Sequence, residues 1–222
     1  MRPRNVRGTR LIALGTAVIV AAALRRRLAR WGATDDEVNM ALPGDGLVPH
    51  ADLSSTRAIT IRAADEDVWP WLAQLGQGRG GFYSYDFLEN LVGCDIHSAD
   101  VVVPGWQQIE VGDQVRLAPE VPLAVAVVEP NRALVLRGGI PMGPVPAPYD
   151  FTWAFVVRDA PGGCTRLVVR ERYGYSRRWA ALIVEPAALV SWLMSRRMFQ
   201  GIKKRAEQGT RPLPTLEAAG AD

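Results

Sequence analysis

Histidine and cysteine, the residues most often recruited for metal binding and nucleophilic chemistry, are nearly missing: the 222-residue chain has two of each. Cys94 and Cys164 stand outside any CxxC or mixed Cys/His array, so they read as two free thiols, with a bridge between them left open. With only His50 and His97, a histidine-rich metal site is excluded. Lysine is scarce as well, two against 24 arginines, an imbalance that reads as GC-rich codon usage rather than chemistry. Acidic residues are absent from residues 1–30, which hold eight arginines. The net charge of +3 is therefore an average over unlike parts, because residues 31–222 carry 18 basic against 23 acidic side chains, a net −5. An acidic body lacks the basic stripe that nucleic-acid binding needs, so no nucleic-acid partner is expected. A phosphate loop is missing too. The glycine run Gly76–Gly81 (GQGRGG) has no GKS/T ending and follows a helix, not a strand, and reads as a hinge or lid.

What remains is enough for one domain with a full core. The apolar fraction of 48% and charged fraction of 22% are ordinary globular values, which excludes a disordered or fibrous chain. Residues 11–24 (LIALGTAVIVAAAL) form a charge-free run with four arginines on each side. At about 1.5 Å per residue the run spans roughly 21 Å, short of the roughly 30 Å hydrocarbon core. Three readings fit it. A cleaved signal peptide matches its length, but Arg25–Arg27 make a poor cleavage region. A buried core helix also matches its length. A membrane anchor within residues 1–30 suits the arginine brackets best, with arginine stems extending outward and Trp31 at the headgroups. The flanking charges tie, so orientation is not set.

Residues 31–55 read as a linker, in which Thr34 and Glu37 can form a capping box. A strand is expected at Thr56–Arg62, where Arg57, Ile59 and Ile61 alternate with Ala58, Thr60 and Arg62. An amphipathic helix follows at Asp65–Leu75, opened by three acids, and a second short helix at Phe82–Val92. From Gln114 the period switches to two, giving strands at Gln114–Ala118, Leu123–Glu129, Ala133–Arg137, Asp150–Arg158 and Cys164–Tyr175. A long helix closes the domain at Pro186–Gln208, with Leu189, Trp192, Phe199, Ile202 and Ala206 along one stripe. Residues 209–222 read as a flexible tail. The pattern predicts an α+β domain over residues 56–208, an antiparallel sheet covered by a long C-terminal helix and preceded by an N-terminal apolar helix.

That order resembles the START-like (SRPBCC) superfamily, and its bacterial polyketide cyclase/dehydrase and lipid transport branch in particular. The resemblance is carried by the TRAITI first strand, the VWPWL helix and the closing helix SWLMSRRMFQGIKKRAEQ. The stretch Gly76–Asp100 (GQGRGGFYSYDFLENLVGCDIHSAD) and Trp31–Asp45 (WGATDDEV…LPGD) are similar to one bacterial subgroup. The resemblance covers residues 31–208. It implies a helix-grip fold, a curved antiparallel sheet around the closing helix, with a cavity for an apolar or amphipathic small molecule or lipid. It also implies no metal and no organic cofactor. Because one scaffold hosts lipid carriers, cyclases, hormone receptors and cochaperones, no catalytic residue carries over.

The candidate pocket residues come from the alternation. Phe151, Trp153, Phe155 and Val157 share one face of their strand, so Phe151, Trp153 and Phe155 are expected to line the cavity with Tyr173, Trp192 and Phe199. Trp69 and Trp71 are expected in the core. Glu171 sits in phase with Val169 and Tyr173. It either faces the cavity, with Arg116, Arg137 or a tyrosine hydroxyl as partner, or yields that face to Arg170 and Arg172 and sits in a solvated ion pair. Asp95, His97 and Asp100 read foremost as a loop stapled by side chain-to-backbone hydrogen bonds, with His97 as an acid–base alternative. Ligand binding is preferred to catalysis. The alternative is a cyclase- or dehydratase-like enzyme using Glu171, His97, Tyr83, Tyr85 and Tyr173, which requires at least two of these groups to converge on one cavity. A weaker third reading is an interaction module with a groove for a partner chain. The oligomeric state is left open.

Overall fold

The computed structural model describes residues 20, 22–140 and 145–209. Six antiparallel strands form one curved sheet: β1 (Leu53–Ile61), β2 (Gln114–Ala118), β3 (Val121–Glu129), β4 (Ala133–Gly138), β5 (Tyr149–Ala160) and β6 (Cys164–Tyr175), in the order β1-β6-β5-β4-β3-β2. Register shifts between Arg116 and Ala118 and between Val125 and Val127 mark irregularities of the kind that bend a strand. Four short or long helices accompany the sheet: α1 (Asp35–Asn39), α2 (Asp65–Ala73), α3 (Asp86–Leu91) and α4 (Ala181–Glu207). Residues 22–29 are also helical. Helices α2 and α4 pack against each other and on the inner face of the sheet, which is a helix-grip arrangement.

The inner core follows the alternation read from β5. Phe151, Phe155 and Val157 are buried with Leu134, Leu136, Leu167 and Val169, closed by Trp71 and Leu72 of α2 and Phe199 and Ile202 of α4. The strand between these residues turns Val156 outward. There it meets Val168, Ala58 and Leu42 in a second small cluster, so both faces of the sheet are covered. Its cover is the segment read as a linker. Thr34 and Glu37 do form the expected capping box. Arg166 then grips the Glu37 carboxylate with two nitrogens, at 2.7 and 2.8 Å, and the Arg166 hydrogen bond holds that carboxyl below its ordinary range. Arg170 is 3% exposed and donates to Thr56, Asp45 and the carbonyls of Glu37, Val38 and Met40. A planar fork with five donors can satisfy α1's free carbonyls and the sheet together; a lysine could not.

Two boundaries moved for physical reasons. The second helix begins at Asp86, not Phe82, because Phe82 and Tyr83 are buried in the preceding loop and Tyr83 adopts φ 57°. Helix α4 begins at Ala181, ahead of the expected Pro186. The carbonyl that Pro186 cannot serve belongs to Leu182, a residue 78% exposed at the solvent side of the helix's first turns. Trp31 is not a headgroup anchor. It packs on the core, its ring 6.0 Å from that of Phe199. The glycine run is a pinned turn, not a lid: Gly76 and Gly81 bridge, and Arg79 donates to the carbonyls of Ala73 and Trp106. Residues 11–19 and 21, most of the expected anchor, lie outside the described residues, as do residues 210–222 of the expected tail. Among the described residues no helix is long and apolar enough to cross a membrane.

Candidate functional site

A cavity of about 550 Å³ lies between the inner face of the sheet and the N-terminal half of α4. Strand β5 contributes Phe151 and Trp153, strand β6 Glu171 and Tyr173, and β2 Leu117. Helix α4 contributes Val190, Ser191, Leu193, Met194, Ser195 and Met198. The third wall is Phe82 and Ser84, then Leu88, Glu89, Val92 and Cys94 of α3 and the loop behind it. Leu88, Val92, Ile140, Val190 and Leu193 are exposed at its rim. The rings are interlocked: Trp153 packs on Phe155 at 4.7 Å and Phe82 at 5.9 Å, and Phe151 packs on Tyr173 at 4.7 Å. Such contacts fix the wall's shape.

One polar cluster interrupts this apolar lining. Glu171 is 4% exposed, and Arg57, 3% exposed, donates to its Oε1 at 3.0 Å. Ser191 donates to the same oxygen at 2.7 Å, and Ser55 to Oε2 at 3.1 Å. Ser195 joins through Arg57 at 3.1 Å. The register explains the pairing. Ser55 lies directly opposite Glu171 on neighbouring strands, and Arg57, paired with Val169, is its diagonal neighbour. Ser191 and Ser195, four residues apart, reach down from one face of α4. The charges cancel within the cluster. Tyr173 stands beside it, and burial, together with the Glu171 charge, pushes its phenol well above its ordinary value.

Glu89 is the second carboxyl of the wall and has no such partner. Neither oxygen takes a hydrogen bond or ion pair from another described residue, and its Oε2 is buried. Burial, reinforced by Asp86, pushes its carboxyl up to about 7. Cys94 lies beside it, and burial and the Glu89 charge raise its thiol as well. Both cysteines are free thiols.

The structure therefore brings Phe151, Trp153, Glu171 and Tyr173 together and separates the other expected pocket residues. Phe155 and Phe199 are fully buried in the core, Phe155 under the Trp153 ring. Trp192 is off the wall. With Ser191, Ser195 and Met198 facing inward, Trp192 is rotated about 100° around α4. Glu171's partner is Arg57. Arg116 bonds to the Pro119 carbonyl and Arg137 to Asp150, while Arg170 and Arg172 face the outer side. Of the acid–base candidates, Tyr83 donates to the Trp71 carbonyl and lines a separate polar hollow outside α4. Tyr85 is exposed under Arg197. His97 is solvent-facing, 3.2 Å from Asp95, while Asp100 pairs with Arg205. The loop around His97 is stapled, but by Asp86 on Ser98 and Asn90 on Ile96. Among the described residues no group of three or more metal-binding side chains comes together.

Sequence reasoning passed over Arg57, Ser55, Ser191, Ser195 and Glu89. Arg57 had a signal: it is a charge in phase with Ile59 and Ile61, as Glu171 is with Val169. Two inward charges on neighbouring strands point to a pair. For Glu89 there was none, because a carboxylate on a short helix reads as solvated.

No family model matches the sequence, and no curated protein matches it. Solved structures that align include protein MLL2253 from Mesorhizobium loti, 15% identical over 70% of this chain and 98% of that one, with a TM-score of 0.42. Hypothetical protein jhp0584 from Helicobacter pylori is 9% identical over 76% and 96%, TM-score 0.45. CalU16 from Micromonospora echinospora is 14% identical over 70% and 85%, TM-score 0.35. At these identities and scores none of them speaks to what this chain binds or does.

Proposed function

We propose that the protein binds a hydrophobic or amphipathic small molecule in the cavity between the sheet and α4. The observation that supports this reading is a largely apolar cavity of about 550 Å³ in which Arg57 neutralises Glu171. That volume suits a drug-sized or lipid-sized guest, and apolar walls with a few polar groups are what such sites use. A rim of exposed Leu88, Val92, Ile140, Val190 and Leu193 would admit an apolar guest without a charged barrier. Tethering to a membrane through residues 11–24 belongs to the same reading, supported by the arginine-bracketed apolar run. The test is native mass spectrometry of the full chain, followed by organic extraction. An apolar species of defined mass, released on denaturation, supports the proposal. A chain that never carries one, even after incubation with lipid extract, opposes it.

A cyclase-like enzyme is the second reading, and one observation favours it: Glu171 and Tyr173 line the same cavity. Against it, the Glu171 carboxylate already accepts from an arginine and serines, and His97, Tyr83 and Tyr85 point elsewhere. Glu171→Gln separates the two readings, since a catalyst loses turnover with its ligand still bound, whereas a carrier has no turnover to lose.

A further inference from the structure

The geometry points to a lipophilic amine, an apolar body carrying one basic nitrogen, as the class of ligand this cavity selects, with Glu89 as its anchor. The inference rests on the binding reading above and adds a charge to it. Among the described residues that line the cavity the ionisable groups are Glu89, Cys94, Glu171 and Tyr173; no lysine, arginine or histidine is among them. Glu171 is balanced by Arg57 on its far side. Among the described residues nothing balances Glu89, and its buried Oε2 has no hydrogen-bond partner there. The wall thus holds one uncompensated carboxyl in apolar surroundings, the arrangement that rewards a cation and rejects an anion. A fatty acid would set a second carboxylate against Glu89. A neutral alcohol would gain one hydrogen bond. An ammonium would remove the cost of burying Glu89 and gain a charge-assisted bond.

The groups facing Glu89 agree on the sign. Asp86 on its own helix and Glu171 and Tyr173 on β6 contribute no positive charge, and Cys94 in the following loop is a thiol raised above its ordinary value. Helix α4, β5 and β2 place no ionisable side chain on the wall. With its carboxyl held near 7, Glu89 is charged above neutrality and protonated in mild acid. The preference for an amine therefore strengthens as pH rises.

The experiment uses the full chain and displacement of the neutral dye N-phenyl-1-naphthylamine by decylamine, decanol and decanoate, which share one alkyl chain. At about pH 8 decylamine should displace the dye at about tenfold lower concentration than decanol, with decanoate weakest, as for a charge-assisted over a neutral bond. In Glu89→Gln the amine should fall to within about twofold of the alcohol, and saturable dye binding shows that the variant is folded. At about pH 5.5 the wild type should resemble that variant. Equal displacement by the three probes, or an amine preference that survives Glu89→Gln, overturns this inference and leaves the cavity reading standing. A dye that never binds saturably overturns both.

Discussion

Replacing Arg57 with leucine removes the positive charge that meets Glu171, and the structure sets how much that should cost. Both side chains are at most 5% exposed, and their nitrogen and oxygen lie 3.0 Å apart. Removing one member of a buried pair typically destabilises by about 3–5 kcal/mol, because the survivor is left charged in an apolar setting. Here Ser55 and Ser191 continue to donate to the carboxylate, at 3.1 and 2.7 Å, which puts the expected loss at the lower end, about 3 kcal/mol. For a chain of this size that corresponds to a fall in Tm of roughly 6–12 °C. The double variant Arg57→Leu/Glu171→Leu leaves no orphaned charge, only serine hydroxyls short of a partner, and should lose about 1 kcal/mol or less. Equilibrium unfolding in urea, followed by tryptophan fluorescence, measures all four species of the cycle, and the coupling should exceed about 2 kcal/mol. Two results would refute the reasoning: an Arg57→Leu variant within about 1 kcal/mol of wild type, or a double variant that loses the sum of the single losses.

Three further outcomes are expected. Glu37's carboxyl is held below its ordinary value by Arg166, so its contribution is full above that value and disappears as pH falls through the lowered one; Glu37→Gln should flatten the acid limb of unfolding free energy against pH, and an unchanged limb would contradict the assignment. Glu89 shifts the opposite way: its carboxyl is raised from 4.5 to about 7, so the folded protein loses stability as pH climbs through that interval. Glu89→Gln should therefore match wild type in acid and exceed it by about 1 kcal/mol above neutrality, a figure reduced because the side chain is only half-buried, and a variant no more stable there would show that the carboxyl is not desolvated. Gly201 of α4 lies so close to Tyr83 that an added Cβ would meet its carbonyl oxygen at 2.2 Å. Gly201→Ala should lower stability by about 1–3 kcal/mol despite alanine's better helix propensity, and a stabilised variant would contradict that close approach.

How far the sequence could be read depended on which force fixed each element. Strands β2 and β6 fall where the alternation placed them, because one face of each carries residues the core must bury, such as Val115, Leu167 and Val169. The start of β1 was not legible. Leu53–Ser55 extends the strand because Ser55 pairs with Glu171 across the ladder, a tertiary reason that no local preference announces. The outer cover over residues 34–48 was missed on similar grounds: its hold on the sheet comes from Arg166 and Arg170, more than a hundred residues away. In the pocket, period-two reasoning put Phe151, Trp153 and Tyr173 on the inner face, where they line the cavity, and left Glu171 between two phases, of which the structure takes the inward one; Phe155, in the same phase, lies in the core under the Trp153 ring. The α4 side failed. That helix carries apolar residues around most of its N-terminal half, with Leu182, Leu189, Val190 and Leu193 all exposed, so hydrophobicity did not single out the inward face. Ser191 and Ser195 did mark it, through their spacing.

The most direct measurement is titration of N-phenyl-1-naphthylamine into the full chain and into Met194→Trp, whose larger side chain would take up cavity volume from the α4 side. Saturable one-to-one binding to the wild type is expected, weakened about tenfold or more in the variant, since a guest and an indole cannot share that volume. Absence of saturable binding to the wild type, or equal affinity in the two proteins, would contradict the claim that the space between the sheet and α4 is where a ligand is held.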